Sequence, residues 1–394
     1  MDTRHDLLDV DHLLTDEERA IRDTARRFAQ DKLAPHVAEW AESGELPARD
    51  IAKQMGGAGL LGMHLEGYGC AGVGPTAYGL ASIELEAIDS GLRSLFSVQG
   101  SLAMYSIHAY GSEEQKQQWL PGMAAGDYVG AFGLTEPDHG SNPNGMRTRA
   151  KRDPSTGSGQ AADWVLNGSK MWITNGSVAD VVVVWAQTDN GIRGFVVPTD
   201  TPGFSGRAIK HKMSMRASVT SELTFEDMRL PASALLPGAE GLRGPLGALN
   251  EARFGIVFGT TGAARSCLET AIEYATTRTQ FDKPIGAFQL TQGKLADMSV
   301  AHGTALLLSV HLGRLKEAGV LKPAQVSAGK LNNTRVALEI ARTARTILGA
   351  NGISGEYAVM RHANNLESVL TYEGTAEIHQ LTIGRELTGL SAFA

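Results

Sequence analysis

Apolar positions recur at helical spacing in the first and last thirds of the chain. In the middle third they cluster into short runs or alternate with polar residues. Thr15-Asp16-Glu17-Glu18 has the pattern of a capping box, and Ile21, Ala25, Phe28 and Ala29 follow on one helix face behind it. Pro35 closes that run. Ile51 and Met55 mark a second helix, Ser112 to Met123 a further one, and the breaker-poor stretch Ala77 to Tyr110 reads as buried helix. From Gly126 to Pro237 the residues favour strands. Val181 to Trp185 and Gly194 to Pro198 are apolar runs, Ser221 to Leu230 alternates, and Asn167-Gly168 and Asn190-Gly191 predict turns between strands. Asp153 to Gln160 predicts an exposed loop. Past Gly241 the helical pattern returns. Val336, Ile340, Ala344, Ile347 and Leu348 form a stripe that Gly349 ends.

The order predicts an α+β chain, mostly α, in three parts: a helical domain over 1–128, a middle antiparallel sheet or barrel over 129–242, and a helical domain over 243–394. A length of 394 residues is itself too great for one compact core. Hydrophobic residues at 42% and charged residues at 20% are ordinary for a soluble protein. A net charge of −7 argues against a general nucleic-acid binder, which needs a basic face for phosphates. Cys70 and Cys267 have no zinc-ligand spacing, so no metal site is expected, and two lone thiols suit a reducing compartment. No run of apolar residues reaches the ~18–20 of a membrane span, and the N-terminus lacks the order of a secretion signal. A cytoplasmic location is the expectation, with a mature mitochondrial form left open.

Gly57-Ala58-Gly59-Leu60-Leu61-Gly62 matches a dinucleotide-binding fingerprint, and Glu84 could serve as its ribose acid. The fingerprint needs a strand before the glycines, whereas Asp50 to Met55 reads as helix, so the glycines are taken as a helix end and turn.

Three segments can carry chemistry. Phe132 to Ser141 offers hydroxyls at Thr135 and Ser141 and backbone N–H groups around Gly140, suited to a planar heterocycle or a phosphate; it also reads as a loop turning at Pro137. In Met171 to Gly176, Trp172 beside Thr174 can wall a ring and bond its edge, or be an ordinary core tryptophan. In Thr371-Tyr372-Glu373-Gly374-Thr375, a glutamate flanked by an aromatic residue and a glycine can be desolvated and act as a base, or be a solvated loop residue.

In this order, these segments resemble the acyl-CoA dehydrogenase family over nearly the whole chain. The matching stretches are FGLTEPDHGS, MWITNG, LNEARFG (Leu249 to Gly255), TRTQFDKPIGAFQLTQ (Thr277 to Gln292), ILGANGI (Ile347 to Ile353) and YEGTAEIH (Tyr372 to His379). The resemblance implies an N-terminal helical domain, a middle β-domain and a C-terminal four-helix bundle, with FAD as cofactor, an acyl-CoA substrate, electron transfer flavoprotein as acceptor and a homotetramer. It implies that Phe132, Leu134, Thr135, Gly140 and Ser141, with Trp172, Ile173 and Thr174, line the flavin. Arg278, Phe281 and Gln289 would reach the FAD of a neighbouring subunit. Thr346, Ile347, Leu348, Gly349 and Ala350 would lie near its pyrophosphate, and Thr375 and Phe393 would complete the cofactor site. Leu246, Leu249, Asn250 and Arg253 would border the acyl group, as would Ser141 and Gly374. Glu373 would take the α-proton while hydride leaves the β-carbon. Some relatives carry the base directly before the arginine of LNEARFG, where this chain has Ala252. Glu251 is one residue away, which is ~100° of helical rotation, so it should point elsewhere.

Glu84 to Gln99 resembles the glutaryl-CoA dehydrogenase branch. There an arginine and a serine grip the distal carboxylate of the substrate; the matching residues are Arg93 and Ser97, with Ser94 between them and Glu86 nearby. Glu86, Arg93 and Ser97 are seven and four residues apart, so they can share one helix face. A surface ion pair of Arg93 with Glu86 or Asp89 is the plainer alternative. Glu86 and Tyr372 resemble the decarboxylating members, which convert glutaryl-CoA to crotonyl-CoA and CO2. A short-chain or branched-chain acyl-CoA dehydrogenase, a related flavin oxidase and a helical scaffold without chemistry are the competing readings.

Overall fold

The structure is a computed structural model describing residues 6–153 and 163–393; the loop expected after Asp153 lies outside the described residues. Helices fill the first part: α1 (Asp16–Phe28), α2 (Val37–Ser43), α3 (Ala48–Gly57), α4 (Pro75–Ile88), α5 (Ser90–Ser97), α6 (Tyr105–Tyr110) and α7 (Glu113–Ala124). The capping box at the start of α1 is present. Thr15 Oγ1 accepts from the Glu18 N–H at 3.2 Å, and the Glu18 carboxylate accepts from the Thr15 N–H at 2.8 Å. Such caps stabilise a helix by ~1 kcal/mol. The 57–62 glycines follow α3 as a turn, with Gly59 and Gly62 at φ 70° and 63°, and helix rather than strand precedes them. Glu84 is buried between Arg26 and Arg265 instead of facing a ribose.

The apolar stretch 77–110 is buried helix, but in pieces. The chain leaves α4 at Asp89 (φ −166°, ψ 141°), whose carboxylate accepts from the Gly91 N–H at 2.7 Å and starts α5. Glu86 and Arg93 therefore stand on two helices rather than on one continuous face. Residue 91 has to be glycine, because a Cβ there would lie 2.0 Å from the Ala217 carbonyl oxygen.

The middle part holds β1 (Gly130–Gly133), β2 (Arg149–Arg152), β3 (Trp164–Thr174), β4 (Val181–Thr188), β5 (Gly191–Pro198), β6 (Phe204–Ala208) and β7 (Thr220–Leu230), in the order β1-β4-β2-β3-β7-β6 with β5 against β4. The expected antiparallel sheet is mixed. β1 pairs with β4 in parallel, because β2 and β3 intervene in sequence and return the chain in the same direction. Asn190-Gly191 does turn the β4–β5 hairpin. Asn167-Gly168 does not turn. It lies inside β3, at a register shift against β7, with Gly168 at φ 143°. A Cβ there would meet Thr148 Cα at 2.6 Å, so this glycine serves close backbone approach and a bulge.

The last part contains α8 (Arg243–Thr277), the small hairpin β8 (Thr279–Gln280) and β9 (Lys283–Pro284), then α9 (Gln289–Glu317), α10 (Pro323–Ile347), α11 (Val359–Thr371) and α12 (Ala376–Thr388). α10 packs against α8, α9, α11 and α12. The predicted stripe on α10 faces this core, and Gly349 leaves the helix at φ 60°. Among the described residues α9 is long and apolar enough to cross a membrane by length and composition, but it packs against α8 and α10. α4 lies close on α8, where Gly79 makes room for Phe258 and Gly262 for the Ile83 carbonyl. These contacts bring α4, α5, α8 and α10 around the loop that joins α11 to α12.

Candidate active site

Glu373 lies in that loop at φ 53°, and Gly374 follows at φ 97°. A left-handed conformation costs a non-glycine residue roughly 1–2 kcal/mol, so the surroundings must impose it. Tyr372 N–H bonds to the Ser368 carbonyl at 2.8 Å, and Thr375 caps α12 by accepting from the Ile378 N–H at 3.3 Å. Both ends of the loop are thereby fixed. Gly374 meets a neighbour: a Cβ there would lie 2.9 Å from His379 Nε2. Glu373 as a residue is half-buried, yet its Oε2 is shut off from solvent and has no hydrogen-bond partner. Burial raises the carboxyl above its usual proton affinity, while the nearby cations Arg93, Lys330 and Arg253 pull it back.

Arg93 is fully buried. Its Nε donates to Glu86 Oε2 at 2.7 Å, its Nη2 donates to the Tyr372 hydroxyl, and its Nη1 has no partner. Ser97 Oγ is also buried and unpartnered. Ser94 is buried one turn before it ends. Glu86 Oε1 accepts from Ser90 at 2.8 Å. Gly259 on α8 makes this arrangement possible, since a Cβ would stand 2.2 Å from Glu86 Oε2. The surface ion pair considered above is therefore a buried one that leaves Arg93 Nη1 unused. Tyr78, stacked on Phe96, bonds Ser101 at 2.7 Å beside the same group.

α8 supplies the opposite wall. Arg253 Nε donates to the Glu373 carbonyl at 2.7 Å, and its Nη1 to Asn250 Oδ1 at 3.3 Å. Ala252 is fully buried in the core, and Glu251 turns away to pair with Lys316 at 2.6 Å, as its rotation predicts. Leu246 is exposed and Leu249 half-buried along the first turns of this helix.

The other candidate residues lie on β3, the loop after β1, the end of α10, the β8–β9 hairpin and the C-terminal segment. Trp172 is 57% exposed at φ 64°, where β3 bulges between Lys170 and Ile173. The neighbouring Met171 N–H bonds to the Thr135 carbonyl at 2.9 Å, which ties β3 to the loop carrying exposed Gly140 and Ser141. Thr174 is half-buried. Phe132, Leu134 and Ile173 turn their side chains into core clusters, so only their backbone can face a ligand. The same holds for Ile347 and Leu348, whereas Thr346, Gly349 and Ala350 are exposed. Arg278, Phe281 and Gln289 lie exposed on or beside the β8–β9 hairpin, and Phe393 is exposed near the C-terminus.

Two features escaped the sequence reading. Lys170 is buried beneath the Thr135 loop, with Nζ donating to Glu136 at 2.8 Å and to the Leu134 carbonyl at 3.0 Å. Removing one partner of a buried ion pair typically costs ~3 kcal/mol or more. Lys170→Met should therefore lower the thermal unfolding midpoint, and an unchanged midpoint would show the pair to be dispensable. The second feature is Lys330, buried on α10, whose Nζ donates to the Tyr372 and Gly374 carbonyls. Its position was legible as a lysine on the buried stripe of Val326, Asn333 and Ala337.

The acyl-CoA dehydrogenase N-terminal, middle and C-terminal domain families match residues 15–127, 131–228 and 239–388. A crystal structure of glutaryl-CoA dehydrogenase from Mycobacterium smegmatis is 68% identical, covers 99% of both chains and superposes with a TM-score of 0.96. A second, of a glutaryl-CoA dehydrogenase from the same organism in complex with FADH2, is 61% identical over 99% of both chains, also at a TM-score of 0.96. The short-chain specific acyl-CoA dehydrogenase of Bos taurus mitochondria is 36% identical over 385 residues, 95% of this chain and 90% of that one. With three domain families matched in order and identities far above 30%, the chain belongs to the acyl-CoA dehydrogenase family.

Proposed function

We propose that this acyl-CoA dehydrogenase oxidises glutaryl-CoA and releases crotonyl-CoA and CO2. The observation that carries the reading is the buried, unpartnered Arg93 Nη1, close enough to act on Glu373, with the unpartnered Ser97 Oγ one helical turn further along α5. A fully buried guanidinium with a free donor wants an anionic acceptor, and a planar carboxylate suits it. A neutral acyl chain would leave that donor unsatisfied.

Glu373 acts as the base for the α-proton. Enclosure of its carboxyl raises its affinity for the proton. Glu86 holds Arg93 by Nε, so the remaining face of the guanidinium can orient the substrate's distal carboxylate. We assign the thioester side to Leu246, Leu249, Asn250, Arg253 and Gly374, with Ser141 contributing from the loop after β1. After α,β-oxidation the product is glutaconyl-CoA. Breaking its γ-carbon–carboxylate bond releases CO2 and leaves the electron pair as a dienolate, to which Glu373 returns the proton.

The surface that fits a flavin is the exposed face of Trp172, held out by a strand bulge, with the hydroxyls of Thr135, Ser141 and Thr174 and open backbone at Gly140. Bound FAD would supply the acceptor for the β-hydride. Its further contacts are assigned to Phe132, Leu134, Ile173, Thr346, Ile347, Leu348, Gly349, Ala350, Thr375 and Phe393. In a homotetramer, Arg278, Phe281 and Gln289 of a neighbouring chain join them. Burial in such an assembly gives a reason for Phe281 and Leu290 being 87% and 84% exposed in one chain. Electron transfer flavoprotein is the acceptor we assign.

The test is a substrate panel on FAD-loaded protein with a dye acceptor and products identified by mass. Glutaryl-CoA should give crotonyl-CoA and CO2, with kcat/KM on the order of 100-fold above butyryl-CoA. Turnover of butyryl-CoA without turnover of glutaryl-CoA would overturn the assignment and favour the short-chain reading that the bovine relative suggests. Oxidation of glutaryl-CoA without CO2 would remove the decarboxylation step alone.

A further inference from the structure

Three consecutive backbone carbonyls around the base accept from two cations on two different helices. Lys330 Nζ from α10 donates to the Tyr372 oxygen and, at 2.7 Å, to the Gly374 oxygen. Arg253 Nε from α8 donates to the Glu373 oxygen between them at 2.7 Å. Carbonyls on either side of one residue converge on a single ammonium only where the chain is sharply turned. Here that turn is the left-handed Glu373 followed by Gly374.

We propose that Lys330 is a positioning residue for the base: by bridging the carbonyls of Tyr372 and Gly374 it holds Glu373 in its left-handed conformation and aims its carboxyl into the acyl pocket. The inference rests on the reading of Glu373 as base. Without the bridge, Glu373 is free to relax to negative φ, which swings Cβ and the carboxyl away from Arg93 and Ser97. Lys330 is 1% exposed on the buried face of α10, between Val326 and Asn333. Burying an ammonium is unfavourable unless its donors are used, and two of its three are used on this loop. Burial pushes Lys330 down in proton affinity, and Glu373 opposes that.

The bridge also carries charge. The groups acting on Glu373 are Glu86 from α4, Arg93 from α5, Arg253 from α8 and Lys330 from α10, with Tyr78 and neutral His379 also packed nearby. Glu373, Arg253, Arg93 and His379 in turn face Lys330. The ammonium is one of three cations that oppose the effect of burial on the Glu373 carboxyl. Deleting it raises the proton affinity of Glu373 further. The ionised base then appears at higher pH, so the acid limb of the kcat profile moves upward.

Lys330→Met and Lys330→Gln test this in the FAD-loaded enzyme with glutaryl-CoA, or with butyryl-CoA if that is the substrate found. Methionine removes the bridge and the charge; glutamine keeps amide donors and removes the charge. Both variants should shift the acid limb to higher pH. At the alkaline plateau Lys330→Met should lose kcat on the order of 100-fold, as a displaced catalytic group does, and Lys330→Gln roughly tenfold. KM should stay within about threefold, because Arg93 and Ser97 are untouched. A lower melting temperature or a changed KM with the acid limb unmoved would mark Lys330 as merely structural and overturn the proposal. If Lys330→Met does not fold, the limb of Lys330→Gln decides in the same way. Glu373→Gln is assayed in parallel. If it is active, the base reading itself falls. If it is inactive while both Lys330 variants keep kcat and the acid limb, the positioning role alone falls.

Discussion

Glu373→Gln is expected to bind FAD and acyl-CoA as the parent does and to lose turnover by ~10²–10⁴-fold, the usual contribution of a general base. That corresponds to ~3–5 kcal/mol in the barrier. Glutamine matches the shape of the carboxyl and keeps the backbone through which Lys330 and Arg253 hold the loop. It cannot accept the proton. The enclosed Oε2 accepts no hydrogen bond from the protein, so the substitution breaks none there. The measurement is single-turnover bleaching of the bound flavin after mixing with substrate, alongside substrate binding at equilibrium. Unimpaired bleaching would assign the base to another group. Ala252, at the rival position, has no proton-accepting atom, and Glu251 is engaged by Lys316.

Arg93→Met is expected to separate two substrates. For glutaryl-CoA, loss of a buried charge-assisted contact should reduce kcat/KM by ~10²–10³-fold, since truncating one partner of such a pair costs 2–5 kcal/mol. For butyryl-CoA the loss should be about tenfold or less, through disturbance of Tyr372, which Arg93 holds by Nη2 and lies over at 5.7 Å. Glu86 is left with Ser90 as its remaining hydrogen-bond partner, so stability should fall as well. The discriminating quantity is the ratio of the two kcat/KM values, because a loss of folded enzyme cancels from it. Equal losses on both substrates would make Arg93 structural.

The alternation of helical and strand-rich stretches was legible because amphipathic periodicity reports local burial. It could not report contacts made from far along the chain. Asn167-Gly168 looked like a hairpin turn, but Thr148 crosses that point and demands a glycine inside a strand. The stretch of apparent helix from Glu86 to Arg93 is interrupted by Asp89, whose carboxylate is fixed by Arg361 and Asn365 from α11. Glu373 and Arg93 stood out by residue type and resemblance, whereas their meeting is a tertiary fact. Lys330 was overlooked because a lone lysine usually lies on a solvated face. Its place on a buried stripe was the available sign.

The charges acting on Glu373 have a consequence for what the pocket retains. Lys330 and Glu373 sum to zero whether the proton sits on one or the other. Among the groups that act most strongly on Glu373, Arg93 and Arg253 outnumber Glu86 by one, a surplus of one positive charge. A thioester ending in a carboxylate brings the one negative charge that neutralises it. In the proposed reaction that carboxylate departs as CO2, the surplus returns, and the uncharged acyl product would lose its electrostatic hold. On this reading decarboxylation and product release are coupled through charge neutrality, and the pocket discriminates glutaryl-CoA from crotonyl-CoA without any moving part.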